Sequence, residues 1–414
     1  MTIESVVVVG AGQAGYQIAA SLRQEGFEGR ITLIGEEPGL PYQRPPLSKG
    51  YLLGKVSADG IRFRMLAFFE QQRIELVHDR VTAIDRTNRR VSLASGGLLD
   101  YGHLVLATGA RNRLLSVPGA DLGGVLGVRT LADADALMSR AKSAKHVVVA
   151  GAGFIGLEFA AVAASLGAQV HVIELADRPM ARALSRPMSQ LFRAAHEGWG
   201  VTFDFNQGLA AVHGHNGQVT EVQTTSGQRL PAELLVYGIG VLPNTQLAAE
   251  AELTVDNGIE VDAHMLTRDP WISAIGDAVS FPCVHADGAR LRLESVQNAL
   301  DQARLVAARL AGRTTSPYSA MPWFWSDQGN LKLQIAGLST GHDETVVIGS
   351  LAESKISVLC FRQQQLIAVE SCNRPADHMV ARKVLARRAP LRPAEAAAPG
   401  FELATYEAGG RIAN

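Results

Sequence analysis

The sequence has few cysteines, and their spacing excludes several kinds of site. Among the 414 residues, only Cys283, Cys360 and Cys372 are cysteines, and no two of them form a CxxC or CxxxxC pair. An odd number without paired spacing argues against a disulfide framework and against a zinc or iron–sulfur site. We therefore expect three buried thiols in a reducing cytosol, and no metal.

The sequence also lacks an excess of charge and an uninterrupted hydrophobic run. Lys and Arg number 39 and Asp and Glu number 40, so no overall field favours nucleic acid or an anionic membrane. The N-terminal segment MTIESVVVVG has no basic region typical of a signal peptide, which favours a cytoplasmic location. The apolar segment 147–170 is interrupted by glycines, which predicts a strand, a turn and a helix rather than a membrane span.

Glycine, in contrast, is abundant, with 41 residues, and it marks a pattern that occurs twice. In the first copy, a valine-rich strand over 5–9 precedes Gly10-Ala-Gly12-Gln-Ala-Gly15, a helix over 16–24 and a strand over 31–34. Glu36 follows that second strand, 21 residues after Gly15. This is the spacing expected of a βαβ dinucleotide-binding unit.

The second copy has the same order of elements. A strand over 145–150 precedes Gly151-Ala-Gly153-Phe-Ile-Gly156, a helix over 157–166 and a strand over 169–173, with Glu174 at its end. The glycines allow a tight turn, backbone approach to a pyrophosphate and close helix packing. A carboxylate at the strand end binds a ribose 2′-hydroxyl and repels a 2′-phosphate, so Glu174 favours NAD over NADP, although Arg178 and Arg182 temper that preference.

The predicted fold class is α/β, with two Rossmann-like domains and a C-terminal α+β domain. Alternating runs over 331–335, 356–361 and 366–369 predict antiparallel strands, 376–388 a helix, and the tail after Leu391 a partly loose segment. We expect FAD-binding segments over 1–110 and 240–317, an NAD-binding domain over 111–239 and a C-terminal domain over 318–414. Periodicity alone leaves open which nucleotide each glycine turn binds.

The order GAGQAG, LATGAR, GAGFIG, GIGVLPN and AIGDA resembles the two-dinucleotide flavoprotein reductase superfamily, with its glutathione-reductase-like architecture. This resemblance implies tightly bound, non-covalent FAD at the first turn and NADH at the second. The strings YQRPPLSK at 42–49, ESVQNA at 294–299 and PWFWSDQ at 322–328 resemble the putidaredoxin reductase-like NADH-dependent ferredoxin reductases of bacterial oxygenase systems. Residues 1–282 contain no cysteine, unlike the disulfide reductases and peroxidases of the superfamily.

The resemblance implies roles for individual residues. Lys49 is expected near flavin N5, Pro45 against the flavin ring, and Glu158 at the nicotinamide carboxamide and paired with the loop lysine. For Glu158, compensation of the helix N-terminus is the alternative. The residues expected to bind FAD are Gly10, Gly12, Ala14, Gly15, Glu36, Arg44, Lys49, Val81, Thr108, Gly109, Arg111, Gly276, Asp277, Glu294, Ser295, Val296 and Trp323. Those expected to bind NAD are Gly151, Gly153, Ile155, Gly156, Glu158, Glu174, Arg182 and Gly240.

The implied reaction passes electrons from NADH through FAD to a small, acidic 2Fe–2S ferredoxin that supplies a monooxygenase or dioxygenase. A basic segment without acids, 379–393, offers a docking patch with Arg382, Lys383, Arg387, Arg388 and Arg392, and Arg304 is a further candidate. Two alternatives remain: an NADH oxidase, which the missing loop cysteine disfavours, and a redox-sensing interaction protein like apoptosis-inducing factor. His103, His146 and His171 are expected to be structural.

Overall fold

The computed structural model describes residues 3–412, so Met1, Thr2, Ala413 and Asn414, which belong to the expected terminal domains, lie outside the described residues. In chain order, the helices are α1 (Gln13–Gln24), α2 (Leu66–Gln71), α3 (Leu131–Ala141), α4 (Phe154–Ser165), α5 (Arg186–Gly198), α6 (Gln246–Glu250), α7 (Val296–Leu310), α8 (Pro375–Ala386), α9 (Pro393–Ala396) and α10 (Leu403–Ile412).

The strands are, in the same order, β1 (Ser5–Val9), β2 (Arg30–Gly35), β3 (Ile74–His78), β4 (Val81–Asp85), β5 (Arg90–Leu93), β6 (Leu98–Asp100), β7 (His103–Leu106), β8 (Ala110–Asn112), β9 (Val125–Leu126), β10 (His146–Ala150), β11 (Gln169–Glu174), β12 (Thr202–Phe205), β13 (Leu209–His215), β14 (Gln218–Thr224), β15 (Arg229–Pro231), β16 (Leu234–Tyr237), β17 (Val241–Pro243), β18 (Ile259–Glu260), β19 (Ile272–Ala274), β20 (Val279–Pro282), β21 (Arg290–Leu291), β22 (Trp323–Gln328), β23 (Leu331–Gly337), β24 (Glu344–Ser350), β25 (Lys355–Arg362) and β26 (Gln365–Cys372).

One compact unit contains the chain up to Arg44, residues 58–111 and residues 241–322. Its main sheet is parallel, with the strand order β19-β7-β1-β2-β3. The central strand β1 is buried from Val6 to Val9, as expected for a parallel strand covered on both faces. The chain order reverses between β2 and β7 on either side of β1, and such a switch point is where open α/β sheets bind ligands.

The other unit contains residues 45–57, residues 112–240 and the chain from Trp323 onward. Its parallel sheet has the order β12-β11-β10-β16-β9, which repeats the arrangement around β1 with β10 in the central position. A buried cluster that includes Val148, Ile173 and Leu235 joins this sheet to the antiparallel strands β13 and β14. A second, antiparallel sheet has the order β22-β23-β26-β25-β24, and α8 packs against β26.

The two compact units group the chain differently from the four expected segments, because residues 45–57 and the C-terminal region belong to the same unit as residues 112–240. The four-segment division into FAD-binding, NAD-binding and C-terminal domains stays a prediction. The doubly wound sheets and the C-terminal antiparallel sheet confirm the predicted fold class.

Two local expectations differ from the structure. Helices α1 and α4 begin at Gln13 and Phe154, three residues before the predicted starts, because the third glycine of each turn lies inside the first helical turn. The tail after Leu391 is predicted to be partly loose, but it forms α9 and α10, and Leu391 and Leu403 are buried. The alanine-rich composition of the tail suits short helices that are held by such anchors.

Candidate functional site

The first glycine turn connects β1 to α1 and leaves room for a ligand at one position. A Cβ at Gly15 would lie 1.8 Å from the Gly10 carbonyl oxygen, so this position requires close packing of the helix on the turn. A Cβ at Gly12 would meet no atom within 4 Å, and no side chain caps the N-terminus of α1 there. Open space beside uncapped backbone N–H groups fits an anionic pyrophosphate.

The LATGAR segment, residues 106–111, lies against this turn. Gly10 has φ +106°, and a Cβ there would lie 2.2 Å from the Ala107 carbonyl oxygen. Thr108 Oγ1 donates a hydrogen bond to the Asn244 carbonyl oxygen at 2.6 Å, and the Asn244 side-chain amide donates to the Thr108 carbonyl oxygen at 2.9 Å. Arg111 donates to Asn244 Oδ1 at 3.1 Å. The LATGAR and LPN motifs therefore hold each other beside the first glycine turn.

The Gly276-Asp277 pair lies at the same end of α1. A Cβ at Gly276 would lie 3.1 Å from Cβ of Ala14, and Gly276 N–H donates to Gln302 of α7 at 2.8 Å. Ser295 caps α7 by accepting a hydrogen bond from Asn298 N–H at 3.0 Å. Val296, the first residue of α7, has no intrahelical acceptor for its N–H, so that group is suited to a ligand.

The other residues expected at the first site occupy varied positions. Glu36 directly follows β2, and its carbonyl oxygen is bonded by His78 at 3.1 Å. Arg44 forms an ion pair with Glu37, so much of its charge is already compensated within the chain. Val81 begins β4 and is buried. Glu294 is ion-paired with Arg292, which was not among the residues predicted to bind FAD.

The second glycine turn has the same geometry as the first. Gly151 has φ +99°, and a Cβ at Gly156 would lie 2.1 Å from the Gly151 carbonyl oxygen. A Cβ at Gly153 would have only the Gly238 carbonyl oxygen within 4 Å, at 3.8 Å, and no side chain caps α4. Ile155, in the first turn of α4, is 43% exposed. This turn therefore also fits the pyrophosphate of a dinucleotide.

Glu174, at the end of β11, reaches back to the second glycine turn. One carboxylate oxygen accepts a hydrogen bond from Ala152 N–H at 2.6 Å, and the other accepts from Ala176 N–H at 2.8 Å. Arg178 donates to the carbonyl oxygens of its own loop and to Asp177, which gives it a structural role, whereas Arg182 is exposed. Gly240 has φ +100°, and its carbonyl oxygen accepts from Arg113 N–H at 3.0 Å.

Glu158 lies in a buried polar cluster, of which only the ion pair with the loop lysine was predicted. Lys49 Nζ lies 3.0 Å from Glu158 Oε1, the pair that the resemblance implied, and Ser326 Oγ donates to the same oxygen at 2.6 Å. Ser48 Oγ donates to Oε2 at 2.6 Å. Burial raises the pKa of Glu158, and the charge of Lys49 and the hydroxyl donors oppose that rise.

The position of Glu158 argues against one of the two interpretations of this residue, the compensation of the helix N-terminus. Because α4 begins at Phe154, Glu158 lies beyond the first helical turn, where the helix dipole has little effect. Its side chain is 3% exposed and is held by Lys49 from the proline-rich loop. The carboxylate therefore belongs to a buried polar cluster and does not serve to compensate the partial positive charge of the helix N-terminus.

The loop that carries Lys49 is fixed at two points. Pro45–Ser48 forms a 3₁₀ turn, and Tyr51 Oη donates to Asp135 of α3 at 2.5 Å, which raises the pKa of Tyr51 to about 12.

Trp323, which was expected to bind FAD, begins β22. Its ring centroid lies 5.5 Å from that of Trp325, and the Arg382 guanidinium lies 5.0 Å from the Trp323 ring centroid.

The basic candidates for partner docking differ in their surroundings. Lys383, Arg387 and Arg388 of the C-terminal helical region are exposed, but Arg387 pairs with Glu407 at 3.4 Å. Arg304 of α7 is exposed and pairs with Asp301 at 3.1 Å. These pairs reduce the charge that Arg387 and Arg304 offer to a partner.

The histidines expected to be structural lie in strands, and the three cysteines are buried in the protein. His103 of β7 forms a hydrogen bond with Ser273 of β19 at 2.8 Å, and His171 of β11 forms one with Asp204 of β12 at 2.8 Å. His146 begins β10. Cys283, Cys360 and Cys372 are free and buried. Within residues 3–412 no group of His, Cys, Asp and Glu is arranged to hold a metal ion, and no helix there is long and apolar enough to cross a membrane.

Four residues of the polar cluster and its loop were not predicted as members of the candidate site: Ser48, Ser326, Gln328 and Tyr51. Ser48 and Ser326 lie within the motif strings that carry the resemblance, so their position was a signal, but a serine by itself indicates no partner. Their roles depend on contacts between segments that are about 110 and 168 residues apart, which no local pattern encodes.

Two family models match the chain. The model described as pyridine nucleotide-disulphide oxidoreductase matches residues 4–303, and the model described as reductase C-terminal matches residues 323–406. The boundary between the two matches agrees with the change of sheet type near β22. Together they cover nearly all of the described residues.

The chain is similar over nearly its whole length to several reductases. It is 49% identical over 400 residues to rhodocoxin reductase of Rhodococcus erythropolis, covering 96% of this chain and 93% of that protein. A crystal structure of a ferredoxin reductase from Rhodopseudomonas palustris matches with a TM-score of 0.95 and 49% identity, covering 98% and 100% of the two chains. The putidaredoxin reductase in a covalent complex with putidaredoxin matches with a TM-score of 0.96 and 37% identity over 100% of each chain.

Proposed function

The chain belongs to the pyridine nucleotide-disulphide oxidoreductase family, and from that premise we propose that it reduces a ferredoxin with electrons from NADH. It is an FAD-containing oxidoreductase whose relatives deliver electrons to the ferredoxins of oxygenase systems. Bound FAD supplies the chemistry that the protein lacks, because flavin accepts two electrons as a hydride and releases them singly.

The observation that carries the proposal is the pair of glycine turns, each with open space at its second glycine and an uncapped helix behind it. Gly12 and the first turn of α1 would hold the FAD pyrophosphate, with Glu36 at the ribose and Asp277 near the phosphates. Gly153 and α4 would hold the pyrophosphate of NADH, with Glu174 at the ribose. The remaining assignments of cofactor-binding residues made from the sequence are kept as proposals.

Glu158 would recognise the nicotinamide carboxamide. A carboxylate has about four acceptor positions. Ser326 and Lys49 occupy two on Oε1, and Ser48 occupies one on Oε2. One acceptor position on Oε2 is left for an incoming N–H, which is what a carboxamide offers. The roles of Pro45, Lys49 and Trp323 toward the flavin also remain proposals from the resemblance.

A reductive titration tests the proposal. The cysteines are free, buried and absent from residues 1–282, so no dithiol is available as a second acceptor beside the flavin. Anaerobic addition of NADH to the purified yellow protein should bleach the flavin completely at one equivalent per FAD. Consumption of two equivalents would reveal a further two-electron centre, and a colourless protein that binds no FAD would contradict the proposal.

We further propose that the ferredoxin is acidic and binds near Lys383, Arg387 and Arg388 of the C-terminal region, and Arg304 of the other unit is kept as a separate candidate. Opposite charges accelerate encounter at low salt. Lys383→Glu should raise the KM for ferredoxin severalfold at low salt, without changing NADH-dependent flavin reduction. Arg193→Glu, at an exposed arginine on α5, is the matched charge reversal and should leave that KM unchanged. Equal effects of the two substitutions would argue against this docking face.

We also propose a cytoplasmic location, which suits a chain whose three cysteines are all free. Fractionation of cells that express the untagged chain would test it: we expect the protein with cytoplasmic markers, and recovery with another compartment would contradict this location.

A further inference from the structure

A chain of buried side chains runs from α5 to the carboxylate of Glu158. His196 Nε2 lies 2.9 Å from Gln328 Oε1, Gln328 Nε2 donates to Ser326 Oγ at 3.2 Å, and Ser326 Oγ donates to Glu158 Oε1 at 2.6 Å. The side chains of His196, Gln328 and Ser326 are completely buried. All of these residues belong to one compact unit. Because water does not reach them, their polar groups must find their hydrogen-bond partners among one another.

The direction of each hydrogen bond in the chain is fixed by its end. A carboxylate only accepts, so the Ser326 hydroxyl donates to Glu158 and accepts from Gln328. The amide nitrogen of Gln328 faces two acceptors, Ser326 Oγ and, at 3.7 Å, Met180 Sδ. Its oxygen therefore faces His196, which must carry its proton on Nε2. Burial lowers the pKa of His196 to about 4, so the ring is neutral near pH 7.

The remaining ring nitrogen agrees with this assignment. Among the residues that the structure describes, His196 Nδ1 is buried without a hydrogen-bond partner. An unprotonated ring nitrogen is less costly to leave unpaired than a buried N–H. The neutral Nε2–H tautomer thus pairs the N–H of the ring with Gln328 and leaves unpaired only the nitrogen that carries no proton.

We propose that Ser326, oriented by Gln328 and His196, is a positioning residue that holds the Glu158 carboxylate toward Lys49 and keeps it available to the nicotinamide. This inference rests on the proposed function. Lys49 comes from the proline-rich loop, Ser326 from β22 and His196 from α5, so the three elements jointly fix one carboxylate. Without the Ser326 hydroxyl, Oε1 would keep only Lys49, and the carboxyl would hold its proton more readily.

Substitution of Ser326→Ala in the FAD-bound protein tests the proposal by two readouts. Infrared spectroscopy measures the protonation of the buried carboxyl against pH, with its band identified by loss in Glu158→Gln. We expect the protonation midpoint to move to higher pH in Ser326→Ala. The rate of flavin reduction at saturating NADH should fall about tenfold, which is the factor expected for loss of a hydrogen bond to a charged group. The acidic limb of the pH profile of that rate should also move to higher pH. Gln328→Met should displace both in the same direction by less.

Ser357→Ala is the matched control, because Ser357 is also completely buried in the C-terminal sheet and donates to a carboxylate, Asp377, at 2.7 Å. It should leave both readouts unchanged. An unmoved infrared midpoint in Ser326→Ala, or an equal displacement in Ser357→Ala, would overturn the positioning role. The infrared titration needs no NADH, so a failure of NADH to reduce the wild-type flavin would refute the proposed function separately.

Discussion

At the scale of single residues, the Lys49–Glu158 pair combines a stability cost with a proposed role in binding the nicotinamide. Glu158 is buried, and Lys49 is its cationic partner at 3.0 Å. Removal of one partner from a buried pair leaves an uncompensated charge, which typically costs 3–5 kcal/mol, whereas removal of both is often nearly neutral. The pair therefore allows its structural and functional contributions to be separated by experiment.

Lys49→Met should destabilise the protein in a pH-dependent way. Without Lys49, burial raises the pKa of Glu158 further above that in the unfolded chain, so the folded state binds the additional proton. The free energy of unfolding should fall by about 3 kcal/mol at pH 8 and by less at pH 5, as measured by urea denaturation.

Two further variants complete that experiment. The double variant Lys49→Met with Glu158→Gln should recover most of the lost stability. Its flavin should still be reduced slowly by NADH, because the carboxylate proposed to bind the nicotinamide is absent. Lys55→Met, at an exposed lysine of the same loop, should change neither property. A loss of stability in Lys49→Met that is independent of pH would contradict the role of the buried carboxylate.

Glu174→Ala should weaken the preference for NADH over NADPH. The carboxylate also anchors the second glycine turn through Ala152 N–H, so the substitution should raise the KM for both nucleotides. The ratio of the two kcat/KM values isolates the ribose contact, and we expect it to fall about tenfold or more. Glu197→Ala, at an exposed glutamate on α5, is the control. An unchanged ratio would remove the assignment of Glu174.

At the scale of elements, the glycine turns were the most predictable feature and long-range contacts the least. The spacing in GAGQAG and GAGFIG predicted both βαβ units, since a strand, a turn and a helix are local in sequence. Their helix starts were wrong by three residues because the third glycine packs inside the helix. The polar cluster around Glu158 joins the proline-rich loop, α4 and β22, and the sequence predicted only its ion pair, through the resemblance.

Alanine at the second glycine of each turn should separate the two nucleotide sites. Gly12 and Gly153 have negative φ and space for a Cβ, so Gly12→Ala and Gly153→Ala should fold. In each variant the methyl group would occupy the space proposed for a pyrophosphate. Gly12→Ala should lose FAD, measured by absorbance per chain. Gly153→Ala should keep FAD and raise the KM for NADH at least tenfold.

Gly198→Ala provides the control for these two substitutions, because that glycine ends α5 and a Cβ there would meet no atom within 4 Å. It should retain both FAD and affinity for NADH. Loss of FAD from Gly153→Ala together with its retention in Gly12→Ala would reverse the assignment of the two turns.

At the scale of the whole molecule, three buried histidines predict how stability depends on pH. Burial lowers the pKa of His103 to about 3 and those of His196 and His378 to about 4. Unfolding restores an ordinary pKa of about 6.5, so below that pH the unfolded chain binds more protons. Stability should therefore fall with decreasing pH between about 6.5 and 4, by about 2 kcal/mol for each histidine at pH 5.

Urea denaturation at pH 7 and pH 5 measures this dependence. His103→Gln should reduce the difference between the two unfolding free energies, and His215→Gln, at an exposed histidine, should not. An identical pH dependence in wild type and His103→Gln would contradict the assignment of His103 as a buried neutral residue.

The overall architecture followed from the duplication of the βαβ pattern, but the ordered tail did not. The duplication predicted two doubly wound sheets, and the alternating runs after residue 318 predicted a further antiparallel sheet. The tail of 393–412 is poor in large apolar residues, so its helices depend on packing against other elements, such as α10 against α8. Packing of that kind is not visible as a local pattern.

The most direct test of the account follows electrons through the whole protein. The FAD-bound chain, pre-reduced with one equivalent of NADH, is mixed rapidly with an oxidised 2Fe–2S ferredoxin of an oxygenase system or, separately, with oxygen. We expect the flavin to be reoxidised by ferredoxin much faster than by oxygen, with two ferredoxins reduced per NADH and no effect of prior thiol alkylation. Faster reoxidation by oxygen than by any ferredoxin or rubredoxin would contradict a ferredoxin reductase and would favour an NADH oxidase.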